Sequence, residues 1–275
     1  MATIVGVFRE AQFSPGRVED DAAILRATAA VLEKRGLSLR LGDVERAAEP
    51  DVAAVLAMCQ TADALRALDV HARRVPVINT PTAIRNCYRT ETVRLLSAAG
   101  GPFPRTAIVS TATPPPDTGP CWVKRGDVHA MAAGDVRFAP DRVALAAALA
   151  DLAARSIEHA TVQAHVDGAA VKFYGIVDGR FFRCYVDGEE APAPLPALWD
   201  AARAAACTLG LEVFGGDLIV DRDGVPMVVD VNDWPSFARC RAEAAEAIAD
   251  YVYDRVRAHA ADRHTSAAAR AGTDA

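Results

Sequence analysis

For its first eighty residues the chain alternates short apolar runs with amphipathic stretches. Residues 3–8 form a continuous apolar run of strand length. Residues 19–35 carry Ala23, Ile24, Ala27, Ala30 and Val31 at helical spacing and stop at Gly36. Strands are predicted at 37–41, 52–58 and 75–78, with a short helix at 61–68. Strands alternating with helices imply a small parallel α/β sheet. The pattern then changes. Residues 82–99 predict one helix, with Pro81 near its start and Gly100-Gly101 after its end. Strands follow at 106–109, 121–125 and 135–138, then an Ala/Leu helix at 141–155. The runs at 161–166, 171–177 and 180–186 read as antiparallel strands, the last two joined by Asp178-Gly179. A helix at 198–209, a hairpin at 217–232 and a helix at 242–259 complete the chain, with Pro-rich loops at 111–119 and 190–196. The Ala/Ser/Thr-rich end from 263 is expected to fray. The fold class is α/β in the mixed, α+β sense.

The hairpin segment, LEVFGGDLIVDRDGVPMVVDVNDWPS at 211–236, carries the chemistry. Two apolar runs flank Asp221-Arg222-Asp223-Gly224, a turn composition that joins antiparallel strands. A tight turn pairs Ile219 with Pro226 and Asp217 with Val228. Alternation then puts Asp217, Asp230 and Asn232 on one face, with Asp217 diagonal to Asp230. Two carboxylates and an amide, with no His or Cys beside them, suit Mg²⁺ held together with substrate phosphates. The alternative is a polar face that simply meets water. Against it, Asp230 and Asn232 interrupt an otherwise apolar run, and a buried carboxylate needs a partner or a metal.

Composition narrows the classes. With 275 residues, the chain is long enough for two or three subdomains. A net charge of −6 argues against non-specific nucleic-acid binding. No run approaches a membrane span, and the start has no signal-peptide layout, so a cytoplasmic location is expected. The six cysteines are scattered without a C-x-x-C and read as buried thiols. Only Lys34, Lys124 and Lys172 are lysines, against a background of arginine. A lysine kept inside a strand-like run is therefore informative, which singles out Lys124 and Lys172. The alternative for Lys172 is a snorkelling surface residue. Arg9, Ser14 and Arg17 lie at the exit of the first strand, where α/β units bind ligands.

Four stretches, in order, resemble the ATP-grasp superfamily over about residues 3–256. INTPTAIRNCYRTETVRLLSAAGGPFPRT (78–106) is similar to the crossover into its central domain. CWVKRGDVHAM (121–131) resembles its nucleotide-binding strand with a lysine and phosphate loop. VQAHVDGAAVKFYGIVDG (162–179) resembles the adenine hinge and a lysine-bearing strand, and 210–237 the metal hairpin. The loop departs from the usual glycine-rich pattern, with Gly126 alone before Gly134. The usual Asn-x-x-Pro-Gly is Asn232-Asp233-Trp234-Pro235-Ser236 here.

The resemblance implies an N-terminal α/β domain at 1–80, a central subdomain at 81–160, a C-terminal subdomain at 161–260 and a flexible tail at 261–275. ATP is sandwiched between the central and C-terminal parts. Lys124 and Lys172 contact its phosphates, and Arg89 stands where much of the superfamily has another phosphate-binding lysine. Gln163, Ala164 and Val166 line the adenine edge, and Asp167 reaches the ribose. Asp217, Asp230 and Asn232 hold Mg²⁺ or Mn²⁺. The function implied is an ADP-forming carboxylate–amine ligase acting through an acyl phosphate on a small-molecule or peptide acid and an amine. Lys172 and an arginine such as Arg183 or Arg239 neutralise the transferred charge, and Arg9 is a substrate-side candidate. A homodimer is left open. The alternative is a small-molecule kinase, because KRGDVHAM also resembles the inositol-trisphosphate kinase branch, where His129 faces the substrate. His165, alternating with apolar neighbours, reads as structural.

Overall fold

A computed structural model of the chain describes residues 3–113, 115, 119–191 and 196–271. Parts of both Pro-rich loops (114, 116–118 and 192–195) and tail residues 272–275 lie outside the described residues. The elements are β1 (Thr3–Val7), α1 (Val18–Lys34), β2 (Ser38–Gly42), β3 (Val52–Ala57), α2 (Ala62–His71), β4 (Val77–Ile78), α3 (Pro81–Asn86) and α4 (Arg89–Ala99). Then come β5 (Thr106–Ser110), β6 (Cys121–Arg125), β7 (Val136–Ala139), α5 (Arg142–Ala154), β8 (His159–Ala164), β9 (Gly168–Ile176) and β10 (Phe182–Val186). The chain finishes with β11 (Glu189–Glu190), α6 (Pro196–Leu209), β12 (Val213–Asp221), β13 (Pro226–Asp233) and α7 (Arg241–Ala271). No described helix is long and apolar enough to cross a membrane.

The chain forms two compact units. The first takes residues up to Glu10, Arg17–Pro81 and everything from Ser236. Its sheet is parallel, in the order β2-β1-β3-β4. Every residue of β1 is buried, as expected of a strand covered on both faces. Helix α1 stops where the sequence reading expects, with Gly36 at φ +79° and the Leu37 amide reaching back to the Leu32 carbonyl. Helix α7 packs on α1, burying Ala245, Ile248, Ala249 and Val252. Arg35 joins the two helices through Glu246 (2.8 Å) and Asp250 (2.5 Å). Two expectations are corrected here. The terminal helix belongs with the N-terminal unit, not with the C-terminal subdomain. It also continues to Ala271, through most of the expected frayed tail.

The second unit, Ala11–Gly16 with Thr82–Pro235, holds two antiparallel sheets. One has the order β5-β8-β6-β7, the other β11-β10-β9-β12-β13. Strand β8 pairs with β5 and β6, so the expected division at 160/161 cuts through a sheet. Helix α5 covers the first sheet. Leu145, Leu149 and Leu152 meet Cys121, Val123, Ala160 and Val162 there. Its N-terminus is capped by Asp141, which accepts from the Ala144 amide at 2.8 Å. Helix α6 covers the second sheet, packing Ala202, Ala206 and Leu209 against a core with Phe173, Phe214 and Val231.

The single helix expected at 82–99 is two. Tyr88 is extended (φ −63°, ψ 132°), and the break is tied by Thr92 Oγ1 donating to the Asn86 carbonyl at 2.9 Å. The interruption makes Arg89 the first residue of α4.

Candidate active site

The hairpin β12–β13 turns through a three-residue loop. The Asp221 amide donates to the Val225 carbonyl (3.0 Å), and Gly224 takes the left-handed conformation at φ +79°. Asp221 Oδ1 accepts from the amides of Asp223 (3.0 Å) and Val225 (2.8 Å). This loop pairs Val220 with Pro226 and Leu218 with Val228, one residue away from the expected register. Continued unchanged, that register would set Asp230 opposite Gly216 and send it to the other face. A bulge prevents this. Val229 is the extra residue, and beyond it Asp217 pairs directly with Asp230, and Gly215 with Asn232. The expected diagonal relation is thus corrected to a direct one. The carbonyl of Val229 accepts from Lys124 Nζ at 2.9 Å.

A row of side chains crosses the sheet at this level. Tyr185 on β10 is opposite Lys172 on β9, Lys172 opposite Asp217, and Asp217 opposite Asp230. Lys172 Nζ lies 2.9 Å from Asp217 Oδ1. Arg89, from the start of α4, donates to Asp230 Oδ1 at 3.1 Å, and Asn232 Nδ2 donates to Oδ2 at 3.2 Å. Lys124 arrives from β6 of the other sheet. Six of the expected residues (Arg89, Lys124, Lys172, Asp217, Asp230 and Asn232) therefore meet in one cluster.

The charges respond to one another. Burial lowers the Lys124 ammonium to about 8; Asp230 opposes this and Arg89 adds to it. Burial raises Asp230, but Arg89, Lys124 and His129 outweigh it and bring the carboxyl to about 2. Burial also works against charge on Lys172, yet Asp217 holds it above its ordinary value. Asp217 itself is raised, by burial and by the charge of Asp230, despite Lys172. The two shifts pull the pair in opposite senses. The Asp217 carboxylate keeps 41 % exposure, so repulsion by Asp230 is the firmer cause. Asp217 is the group that one more cation would favour.

Among the described residues no group of three or more His, Cys, Asp or Glu side chains is placed to hold a metal. The donor set here is two adjacent carboxylates and an amide. It fits Mg²⁺ of the kind bound by one or two carboxylates, with phosphates and water completing the shell.

The other expected residues are dispersed. Gln163 is buried on β8. The Ala164 amide donates to the Arg105 carbonyl (2.9 Å), and Val166 is half-buried in the β8–β9 connection. Asp167 contacts His165 (3.1 Å) and Arg222 (3.5 Å). His129 Nε2 sits 3.7 Å from Asp233 Oδ1, just past Asn232. Arg183 turns to Glu190 (3.2 Å) and lies over the Phe181 ring. Arg9 pairs with Asp21 at 3.1 Å and, like Arg17 and the exposed Arg239, belongs to the first unit. Ser14 is buried in the short segment that groups with the second unit.

Sequence reasoning missed what holds the 126–135 loop. Asp135, fully buried, accepts from the amides of Met131 (2.6 Å) and Ala132 (2.9 Å), from Arg125 (3.1 Å) and from Arg155. Arg125 also grips Asp127 at 2.6 and 2.7 Å. Gly126 serves packing, because a Cβ there would lie 2.6 Å from the His159 carbonyl oxygen. The visible signal was the spacing of Arg125, Asp127 and Asp135 around a loop poor in glycine.

No family model and no curated relative matches the chain. Solved structures do. The chain is similar to the D-alanine-D-alanine ligase from Coxiella burnetii, with TM-score 0.72 and 11 % identity over 98 % of this chain and 100 % of that one. It is also similar to a RimK domain ATP-grasp protein from Sphaerobacter thermophilus DSM 20745, with TM-score 0.67 and 20 % identity over 91 % and 99 %. A third is the ATP-grasp ligase PsnB complexed with minimal precursor, Mg and ADP, with TM-score 0.66 and 18 % identity over 93 % and 98 %. Together with two antiparallel sheets that each present a lysine to one acidic hairpin, these likenesses establish that the chain has the ATP-grasp fold.

Proposed function

We propose that the chain is an ATP- and magnesium-dependent, ADP-forming ligase that joins a small-molecule or peptide carboxylate to an amine. The observation that carries this reading is the cluster in which Lys124 and Lys172, from two sheets, converge on the Asp217–Asp230 pair with Arg89 behind it. Support at the level of fold comes from neighbours that are ligases, one of them complexed with Mg and ADP.

Asp217, Asp230 and Asn232 would hold Mg²⁺, or Mn²⁺, which when bound would neutralise charge on the phosphate oxygens. The two lysines hold phosphate oxygens as point charges from opposite walls. Arg89 keeps Asp230 ionised. A carboxylate oxygen of the acid attacks the γ-phosphorus, and the bond to the bridging oxygen breaks, releasing ADP. The amine nitrogen then attacks the acyl carbon, phosphate departs, and the amine gives up a proton. Positioning and charge neutralisation are all this route asks of the protein.

The test is a panel of acids with ATP, Mg²⁺ and hydroxylamine in place of the amine. The expected product is a hydroxamate, with ADP formed only in the presence of the acid. With an acid labelled with ¹⁸O at the carboxylate, one label should appear in the released phosphate. A second reading, a small-molecule kinase, is favoured by one observation: His129 lies beside Asp233, next to the expected metal ligand Asn232. ADP release with a stable phosphorylated alcohol and no free phosphate would replace the ligase reading by that one.

A further inference from the structure

The connection from β6 to β7 begins directly after the strand that carries Lys124. Its residues Asp127-Val128-His129-Ala130-Met131-Ala132-Ala133 include no glycine and no proline. The second unit grips this loop at three levels. At its start the Gly126 amide donates to the His159 carbonyl (2.9 Å), and the Gly126 carbonyl accepts from the Thr90 amide (3.1 Å). One residue on, Asp127 accepts from Arg125 Nε and Nη2 at 2.6 and 2.7 Å, and its Oδ1 also accepts from the Val128 amide at 2.9 Å. Farther along, Asp135 Oδ2 accepts from the Met131 and Ala132 amides.

Asp135 anchors the arrangement. It is fully buried between two guanidinium groups. Arg125 Nη1 donates to its Oδ2 at 3.1 Å, and Arg155, just past the end of α5, donates to its Oδ1. Arg155 continues outward to Asp151 (3.3 Å), which Arg137 of β7 meets as well (3.1 Å). A carboxylate with four donors is compensated for its burial. Two of those donors are loop amides, so the loop cannot leave without stripping partners from a buried charge. Arg125 ties the two ends together, because one guanidinium holds Asp127 and Asp135 at once. Each of these bonds is made by the protein to itself. The backbone freedom that a mobile loop would lose on binding a ligand is therefore lost here on folding.

We propose that Asp135 is a positioning residue for nucleotide binding: gripped by Arg125 and Arg155, it holds residues 127–132 in their binding conformation whether or not nucleotide is present. This rests on the nucleotide reading of the Lys124–Lys172 cluster. The loop is then a standing wall beside Lys124. A ligand that meets a formed wall does not give up affinity to order it. Arg155 acts one step farther back, on the loop through Asp135.

The test is amide hydrogen exchange and calorimetry on the full chain with an Mg-bound, non-hydrolysable ATP analogue. Without analogue, the wild-type Met131 and Ala132 amides should exchange at least about 100-fold more slowly than in an unstructured peptide. Adding the analogue should slow them by no more than roughly threefold further. In Asp135→Asn the same two amides should exchange about tenfold faster or more, the analogue should restore their protection, and it should bind about tenfold more weakly. Protection that returns with the ligand is a signature that a merely structural role for Asp135 would not give. Arg155→Gln, at a position 33 % exposed, should move exchange and affinity the same way by a smaller factor, and it decides the matter if Asp135→Asn does not fold. Loop amides that exchange freely in wild type until the analogue is added would overturn the proposal. So would folded variants that bind the analogue as wild type does, or whose loop the analogue fails to protect. A wild-type protein that does not bind the analogue at all overturns the nucleotide reading, and this proposal with it.

Discussion

Asp217 and Asp230 stand directly opposite each other across β12 and β13, and they do so because two register changes act in sequence. The three-residue loop shifts the pairing by one residue. The bulge at Val229 shifts it again and returns both carboxylates to one face. The same bulge leaves the Val229 carbonyl for Lys124. One irregularity thus builds the acidic pair and ties it to the facing sheet, in keeping with the habit of bulges to re-aim side chains beside active sites.

Removing one carboxylate of that pair should weaken the metal site proposed for this hairpin. Asp230→Asn keeps the shape of the side chain and a hydrogen-bond acceptor for Arg89 while deleting the charge. Turnover is expected to fall at least about 100-fold with circular dichroism unchanged. Titration of Mg²⁺ into the variant should need far higher concentrations for what activity remains. Wild-type rates in Asp230→Asn would remove the hairpin from the metal site.

Asp135 predicts an acid-sensitive loop. Burial raises its carboxyl, but Arg155, the Met131 amide and Arg125 together lower it from 3.8 to about 2. A carboxyl lower in the folded than in the unfolded chain stabilises fully above the unfolded value. That contribution is lost as pH falls from about 4 toward 2. It amounts to roughly 2 kcal/mol. Urea midpoints measured from pH 7 to pH 3 should fall more steeply for wild type than for Asp135→Asn, which lacks the titrating group. Parallel curves would show that Asp135 does not couple to folding.

Gly126 offers a packing test independent of function. A methyl group there meets the backbone of His159 at 2.6 and 2.9 Å, and the Gly126 carbonyl also accepts from the Thr90 amide at 3.1 Å. Neither neighbour is a side-chain tip that can swing away. Gly126→Ala should cost about 1–3 kcal/mol in chemical denaturation. Gly101→Ala, where a Cβ meets nothing within 4 Å, should be nearly neutral. Equal effects from the two would count against the close approach at Gly126.

Much of this was legible in the sequence. The acidic hairpin, the scarcity of lysine and the break at Gly36 follow from alternation, composition and turn chemistry. What was not legible are relations that depend on a partner far along the chain. Strand β8 has the same local pattern whether it pairs with β6 or β9, so its sheet could not be read from residues 159–164. The register of β12 and β13 depended on an Asp221 side chain capping its own loop and on a bulge with no sequence signature in a Val-Val-Asp run. Tyr88 carries no Gly or Pro to announce the break before Arg89. The resemblance makes Arg183 a charge-neutralising candidate, but its sequence neighbourhood does not show that it turns to Glu190.

Lys124 and Lys172 make the sharpest pair for testing the two-sheet arrangement, because each holds a different protein group now. Lys124 binds a carbonyl and is buried; Lys172 binds a carboxylate and is partly open. Each single change to alanine should weaken ATP binding, measured calorimetrically with Mg²⁺ present, by about 1.5–3 kcal/mol for the lost charge-assisted contact. Lys172→Ala also leaves Asp217 facing Asp230 without its cation. Its ATP affinity should therefore depend on Mg²⁺ concentration more steeply than that of Lys124→Ala, as the metal takes over the missing positive charge. If both variants bind ATP as wild type does, the lysines do not contact the phosphates. If only Lys172→Ala is impaired, the nucleotide lies on the hairpin sheet alone and the facing strand β6 is not its second wall.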